Sequence, residues 1–382
     1  MSGPRLRHVA EVNPSTPEFD ALKDEDEVSF VPLERVWPNA FDPSESRQKG
    51  SVSTGYTRFR DGDVVVPKIT PTFQADRTLI VHGLKGGVGA GTTELHIVRA
   101  GPGIETRYVR YLMSTCSFLH GGEAEMIGVA GQKRVPDSWL RDCQVPVMDV
   151  DQQRRIADFL DAETARIDAL ITAKQHQAEA ARSRTFTAAR FIILGSSNPM
   201  DRSPVGADGR RRPKLNRVCS LQRGHDLPAD HRVVGPVPVI SSGGPSGNHN
   251  VAVAAPPGVV TGRYGTVGDV YWSDVPFWPL NTTLYVINFH GNNARWVYWL
   301  LRCLPLDAES EKSAVGGINR NVIGELRVER PSLDRQAVIV AELDKLEEWS
   351  LELTSVLTRQ IELLRERRQA LITAAVTGEL TV

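Results

Sequence analysis

Two segments of this chain carry apolar residues at helical spacing over unusual length. Between Pro331 and Gly378, Leu343, Leu357, Leu364 and Leu371 fall on one seven-residue ladder, with Ser350 filling its gap. Leu346 and Leu353 make a second ladder, and Trp349, Val356 and Leu363 a third, with charged residues opposite. A segment from about Asp149 to Leu194 repeats the pattern more weakly. It places Leu160 and Ile167 on the equivalent ladder, then Lys174, Ala181 and Ala188, with Ile156 one turn before Leu160. Each segment follows a proline (Pro146, Pro331) and stops at a glycine (Gly195, Gly378), as helix boundaries do. The prediction is two helices of about 45 residues, each ~66 Å long at ~1.5 Å per residue. Neither stripe can stay in water, so the economical arrangement is an antiparallel coiled coil in which each covers the other. Ile156, Leu160, Ile167 and Leu170 would then meet Leu343, Leu346, Leu353, Leu357, Leu364 and Leu371, and the alanines of the first helix would lie near Trp349 and Leu346.

The rest of the chain reads at strand spacing. Short apolar runs between Gly, Pro and Asn breaks predict strands at 62–67, 78–81 and 95–98. Others follow at 237–240, 258–261, 269–272 and 284–287. Residues 196–214, rich in Pro, Ser, Gly and Arg, read as a linker. Its Arg210-Arg211-Arg212-Pro213-Lys214 run is a short solvated charge cluster, with phosphate contact as the alternative.

The chain is also written twice. Gln153, Ile156, Leu160 and Asp161 coincide with Gln336, Ile339, Leu343 and Asp344 at an offset of 183, which also carries Leu170 onto Leu353 and Gly195 onto Gly378. Fainter echoes precede the helices. Leu95-His96-Ile97-Val98 resembles Leu284-Tyr285-Val286-Ile287, and Arg107-Tyr108-Val109-Arg110-Tyr111-Leu112 resembles Arg295-Trp296-Val297-Tyr298-Trp299-Leu300. Val129-Ala130-Gly131 with Arg134 resembles Val315-Gly316-Gly317 with Arg320. The order is globule 1–146, helix 147–195, linker and globule 196–330, helix 331–382. The fold class expected is α+β: two strand-rich mixed globules, two long paired helices, and an internal pseudo-twofold repeat.

Composition narrows the function. With 382 residues, 45 Lys+Arg and 46 Asp+Glu, the chain is an ordinary globular protein whose net charge of −1 advertises no polyanion partner. Residues 196–330 alone carry 15 Lys+Arg against 11 Asp+Glu, a local excess of +4. No apolar run approaches a membrane helix, and the opening residues lack a secretory h-region. Cys116, Cys143, Cys219 and Cys303 are scattered, which reads as reduced thiols of a cytoplasmic protein.

Catalytic signatures are missing from the sequence. No HExxH, clustered Cys/His spacing or GxSxG elbow occurs, and no lysine follows an acidic residue at two positions. Lys85-Gly86-Gly87-Val88-Gly89-Ala90-Gly91-Thr92-Thr93 imitates a phosphate loop, but Gly91 stands where the lysine belongs, and β-like residues follow where a helix is needed. It reads as a mobile glycine-rich loop. Binding features remain. Ser241, Ser242, Asn248 and His249 lie in a small-residue loop, and Arg263, Tyr264 and Thr266 lie between glycines. Lys68, Thr70 and Thr72 follow a strand; Gln132, Lys133 and Arg134 form a polar cluster, with Asn319 and Arg320 at the corresponding place of the second globule. Arg forks onto guanine or phosphate, Asn onto adenine, and glycines admit backbone N–H groups to phosphate.

Two globules, each followed by a Pro…Gln…Ile…Leu…Gly helix, resemble the specificity subunit of Type I restriction–modification enzymes. The sharpest residues are Pro331 to Gly378 with Leu363-Leu364-Arg365-Glu366-Arg367-Arg368-Gln369-Ala370-Leu371, and Pro238-Val239-Ile240-Ser241-Ser242-Gly243-Gly244 through Phe277-Trp278-Pro279-Leu280-Asn281. The first helix departs from the pattern after His176, where leucines give way to Ala, Ser and Phe. The resemblance implies a non-catalytic, prokaryotic, cytoplasmic subunit. Each globule would read one half of a bipartite asymmetric site in double-stranded DNA, and the helices would set the spacer. Two methyltransferase subunits, and restriction subunits where present, would bring S-adenosylmethionine, ATP and Mg2+. The competing readings are a coiled-coil adaptor that binds protein through the same loops, and an enzyme using the 85–93 loop as a nucleotide site.

Overall fold

The computed structural model describes residues 3–129, 131–195, 203–206, 209, 211–266, 268–306 and 317–382. Ala130, Arg210, Val315, Gly316 and most of the expected linker lie outside the described residues. Two compact units emerge, one of Met1–Lys174 with Arg359–Val382, the other of Gln175–Thr358. Each contains one globule and a half of both long helices.

In the first unit the strands are β1 (Ala10–Val12), β2 (Glu27–Val31), β3 (Val36–Trp37), β4 (Ala40–Phe41), β5 (Ser46–Gln48) and β6 (Thr57–Arg60). They continue with β7 (Val64–Pro67), β8 (Leu79–Ile80), β9 (Val88–Gly91) and β10 (Leu95–Ala100). Short helices α1 (Pro17–Asp20), α2 (Thr106–Leu112), α3 (Cys116–Ala124) and α4 (Asp137–Asp142) precede the long α5 (Val150–Leu194). An antiparallel sheet runs β1-β10-β7-β8; a second sheet, β5-β2-β9-β6, mixes parallel and antiparallel pairs.

The second unit has β11 (Ser220–Arg223), β12 (Val237–Ser241), β13 (Gly244–His249) and β14 (Gly258–Gly262). After them come β15 (Val270–Ser273), β16 (Trp278–Pro279) and β17 (Thr283–Asn288), with helices α6 (Ala294–Cys303), α7 (Arg320–Gly324) and the long α8 (Leu333–Thr377). Its main sheet runs β11-β17-β14-β15, the order of the first unit's antiparallel sheet, with every pair again antiparallel. All seven strands expected from the sequence are present. The duplication is thus one sheet topology used twice, with different insertions around it.

The residues that coincide at offset 183 tie each globule to its helix by the same contacts. Buried Gln153 accepts from the Glu105 N–H (2.9 Å) and donates to the Met148 carbonyl (3.0 Å). Gln336 does the same with Asn293 N–H (2.9 Å) and the Pro331 carbonyl (3.0 Å). Asp161 accepts from Arg107 (2.8 Å) and the Tyr111 hydroxyl (2.7 Å); Asp344 accepts from Arg295 and the Trp299 indole, both at 2.8 Å. Ile156 and Leu160, like Ile339 and Leu343, enter the adjoining hydrophobic core. Asp149 caps α5 through its side chain, which accepts from Gln152 N–H (2.7 Å), and Ser332 occupies the matching place before α8. Gly195 and Gly378 follow the helix ends at φ 60° and 81°, a conformation that costs glycine nothing and an L side chain about 1 kcal/mol or more.

Within each unit the long helices run antiparallel. In the first, Ile156 and Leu160 share a core with Ile372, Ala375 and Val376, while Asp168 pairs with Arg368 (3.0 Å) and Lys174 reaches Gln360 (2.5 Å). In the second, Ala189, Ile193 and Leu194 share a core with Ile339 and Leu343. Two expectations need correcting. Leu170 is 45% exposed, because the seam passes through Thr164, Ile167 and Ile171, one residue away. Trp349, Val356 and Leu363 are 51%, 54% and 47% exposed, so the third ladder does not face the partner helix. Small polar Ser350 and Thr354 are buried instead, beside buried or half-buried Leu343, Leu346, Leu353, Leu357, Leu364 and Leu371. A two-helix coil needs only a narrow seam.

The glycine-rich segment is not a mobile loop. Lys85–Gly87 forms a 3-10 turn and β9 follows, buried in the middle of its sheet between β2 and β6. A Cβ on Gly91 would stand 2.6 Å from the Val31 carbonyl oxygen and 3.1 Å from the Phe59 ring. These glycines let strand and ring pack closely.

Candidate nucleic-acid interface

The same place in each main sheet carries a basic residue and a cleft. Lys68 follows β7; its N–H donates to the Glu94 carbonyl (2.9 Å) and its carbonyl accepts from Val135 N–H (2.9 Å). Arg263 follows β14 and repeats both bonds, to the Thr282 carbonyl (2.8 Å) and from Ile318 N–H (2.9 Å). The next residues form matching antiparallel bridges, Ile69 with Arg134 and Tyr264 with Gly317. Position 134 therefore corresponds to 317, not to Arg320 as the short sequence echo suggested. The offset of 183 already holds there.

In the second unit a cleft of about 460 Å³ is lined by Arg223, Arg263, Tyr264, Leu284, Asn319 and Arg320, among others, and, among the described residues, by no carboxylate. Among the described residues, none of these three arginines has an ion-pair partner. Most arginines elsewhere do: Arg99 forks onto Asp63, Arg107 onto Asp158 and Asp161, Arg295 onto Asp344 and Glu347. Three uncompensated guanidiniums repel one another and persist only because the cleft is open to water; an anion there relieves them. Arg263 stacks on the Tyr264 ring at 4.4 Å. Asn319 is partly committed, since its side-chain oxygen caps α7 by accepting from Asn321 N–H (2.9 Å).

The first unit has a cleft of equal volume, about 460 Å³, over the corresponding strand, lined by Asn13, Tyr56, Arg58, Lys68 and Leu95 among others. Arg58 pairs with Asp20, which leaves Lys68 as the cleft's one cation outside an ion pair among the described residues, although it attracts the Glu94 carboxylate.

Several sequence candidates turn out to be structural. His249 is buried, accepts from Val233 N–H (3.1 Å) and meets Trp278 edge-on at 5.2 Å. It belongs to the β12–β13 hairpin; the expected flexible loop at 241–250 is this hairpin, with Asn248 exposed on its second strand. Ser241 closes the turn by donating to the Gly244 carbonyl (2.9 Å), and Ser242 N–H reaches Thr282 (3.4 Å). Thr72 is buried and donates to the Ile69 carbonyl (2.6 Å). Thr70 and Lys133 lock together, the hydroxyl accepting from Lys133 N–H (3.0 Å). Arg134 forks onto both Glu94 oxygens at 2.8 Å, and this bond holds the Glu94 carboxyl below its ordinary range. Gln132, Lys133 and Thr266 are exposed. Arg223 escaped notice in the sequence. Its only signal was its place at the end of β11, which becomes visible once β11 is aligned with β1.

Among the described residues no group of three or more His, Cys, Asp or Glu side chains is set to hold a metal, and no helix is long and apolar enough to cross a membrane.

A four-stranded sheet used twice, each copy joined to a long helix and each with a basic cleft, defines a duplicated binding protein. Residues 214–363 match the family described as Type I restriction modification DNA specificity domain. The chain is 39% identical over 155 residues to the Type I restriction enzyme EcoAI and EcoEI specificity subunits of Escherichia coli. The match takes in 40% of this chain but only 26% and 25% of those relatives, so it spans about a quarter of their length. A solved chain of the type I R-M system aligns over 99% of this chain and 97% of its own, at TM-score 0.77 and 17% identity. The HsdS subunit from Thermoanaerobacter tengcongensis aligns over 99% and 96%, at TM-score 0.53 and 17% identity. The fold is shared with these solved chains over nearly the whole length.

Proposed function

We propose that this chain is the DNA-recognition subunit of a Type I restriction–modification complex. Each globule reads one half of a bipartite, asymmetric DNA site. The two long helices, each continuous from one unit into the other, set the interval between the halves and dock two methyltransferase subunits. The chain itself performs no catalysis. Methyl transfer from S-adenosylmethionine, and ATP- and Mg2+-dependent cleavage where restriction subunits are present, belong to its partners, in the cytoplasm of a prokaryotic cell.

The observation that supports this most strongly is the paired clefts. The same position of a repeated sheet carries, in both units, a cation outside any ion pair among the described residues, Lys68 in one and Arg263 in the other, and Arg263 is joined by Arg223 and Arg320. Cations without carboxylate partners suit phosphate, whose neutralisation releases counterions and makes binding salt-dependent. Different side chains at equivalent positions suit two different half-sites. A protein-binding adaptor has no need of the same basic position twice.

The test is an exchange. Replacing residues 1–146 with the corresponding globule of a relative, in complex with the methyltransferase partner, is expected to change one half of the methylated motif and leave the other. Both halves changing, or neither, would overturn the modular reading.

A further inference from the structure

We infer that Arg263 reads a guanine in the half-site engaged by the second unit, with Tyr264 as its positioning residue. This rests on the DNA-recognition reading above. Three guanidiniums line the cleft, but only one is fixed in place. Arg223 and Arg320 are exposed and have neither ring nor carboxylate to hold them among the described residues. Arg263 is half-buried, its guanidinium 4.4 Å from the centre of the Tyr264 ring. Its backbone is held on both sides by strand-type bonds to Thr282 and Ile318.

The ring is fixed in turn. It lies against Gly317, where a Cβ would stand 2.3 Å from the tyrosine Cε1. That close approach wedges Tyr264, and Tyr264 orients Arg263. Orientation is what separates a base contact from a phosphate contact. A phosphate is reached by any flexible cation, and the contact carries no sequence information. Guanine presents O6 and N7 as a planar pair of acceptors, which a forked guanidinium meets only in one plane. Arg223 and Arg320 suit the first task and Arg263 the second. The first unit lacks this device, because the equivalent Lys68 has no fork and Ile69 follows it in place of a ring.

The experiment is selection of bound DNA from a randomised pool by the full chain in complex with its methyltransferase partner, followed by sequencing. Wild type is compared with Arg263→Lys, Arg263→Ala, Gly317→Ala, Arg223→Ala and Arg320→Ala. Arg263→Lys keeps the charge and removes the fork. It is expected to lower the preference for guanine at one position by about tenfold, leave the other half-site unchanged and leave the salt dependence intact. Gly317→Ala, which displaces the ring, is expected to weaken the same preference. Arg223→Ala and Arg320→Ala should weaken binding to all sequences alike and reduce the log–log salt slope by about one each. If Arg263→Lys and Arg263→Ala leave every base preference intact, or alter a position that is not guanine, the inference is wrong. If wild type itself selects no sequence, the underlying reading fails instead.

Discussion

Substituting Gln336 by alanine tests why the repeat keeps a glutamine at this place. The side chain is 1% exposed and makes three bonds: it donates to the Asn292 oxygen (3.0 Å) and the Pro331 carbonyl (3.0 Å), and accepts from Asn293 N–H (2.9 Å). Truncation leaves the Asn293 N–H and the Pro331 carbonyl without their partner where α6 meets α8. Each orphaned buried group costs roughly 1–3 kcal/mol, so the loss is about 4 kcal/mol once the small cavity is included. Gln153→Ala breaks two bonds instead of three and should cost about 3 kcal/mol in the first unit. The assay is urea unfolding followed by tryptophan fluorescence, which reports on the fully buried Trp296 and Trp299 of α6. Hydrogen exchange at the Asn293 amide checks the site directly, since its protection should fall with the global stability. A loss below about 1 kcal/mol with Asn293 protection unchanged would refute the clamp.

Gly91→Ala should destabilise the first unit by about 1–3 kcal/mol, because the added methyl meets the Val31 backbone in the sheet. Thermal melting measures it, and millimolar ATP should leave the wild-type melting temperature unchanged; stabilisation by ATP would revive the nucleotide-loop reading. Stability should also fall below about pH 6.5. Burial holds the His96 imidazole below its ordinary pKa of 6.5, and the ring is bonded to the Val135 carbonyl (2.8 Å) and Asn13 (3.3 Å). The unfolded chain takes up the proton first as pH drops, so the stability present above pH 6.5 is lost toward the lower folded pKa. His96→Asn should flatten that part of the pH–stability profile in urea titrations.

The helices were the most legible part of the sequence. Apolar residues at helical spacing between a proline and a glycine mark both long helices, and the Gln, Ile, Leu and Asp coincidences mark real clamps between globule and helix. What the pattern hid was the seam's width. Trp349 and Leu170 count as apolar in a ladder, yet they are exposed while Ser350, Thr354 and Thr164 are buried. β9 went unread because glycine carries no strand signal, and the close packing of Phe59 and Val31 that demands it is not local. His249 resembled a reader because its core partner Trp278 lies 29 residues away. The cleft was half visible. Arg263, Tyr264 and Arg320 stood out, but only the sheet brings Arg223 beside them, and only the hydrogen bonds show that Arg134 is paired and corresponds to Gly317.

The most direct measurement of the central claim is mapping of methylated bases in the DNA of a host carrying this chain with its methyltransferase partner. Two short defined sequences separated by a fixed run of unspecified bases, unlike each other, are predicted. A single uninterrupted motif, or methylation without sequence preference, would contradict the account.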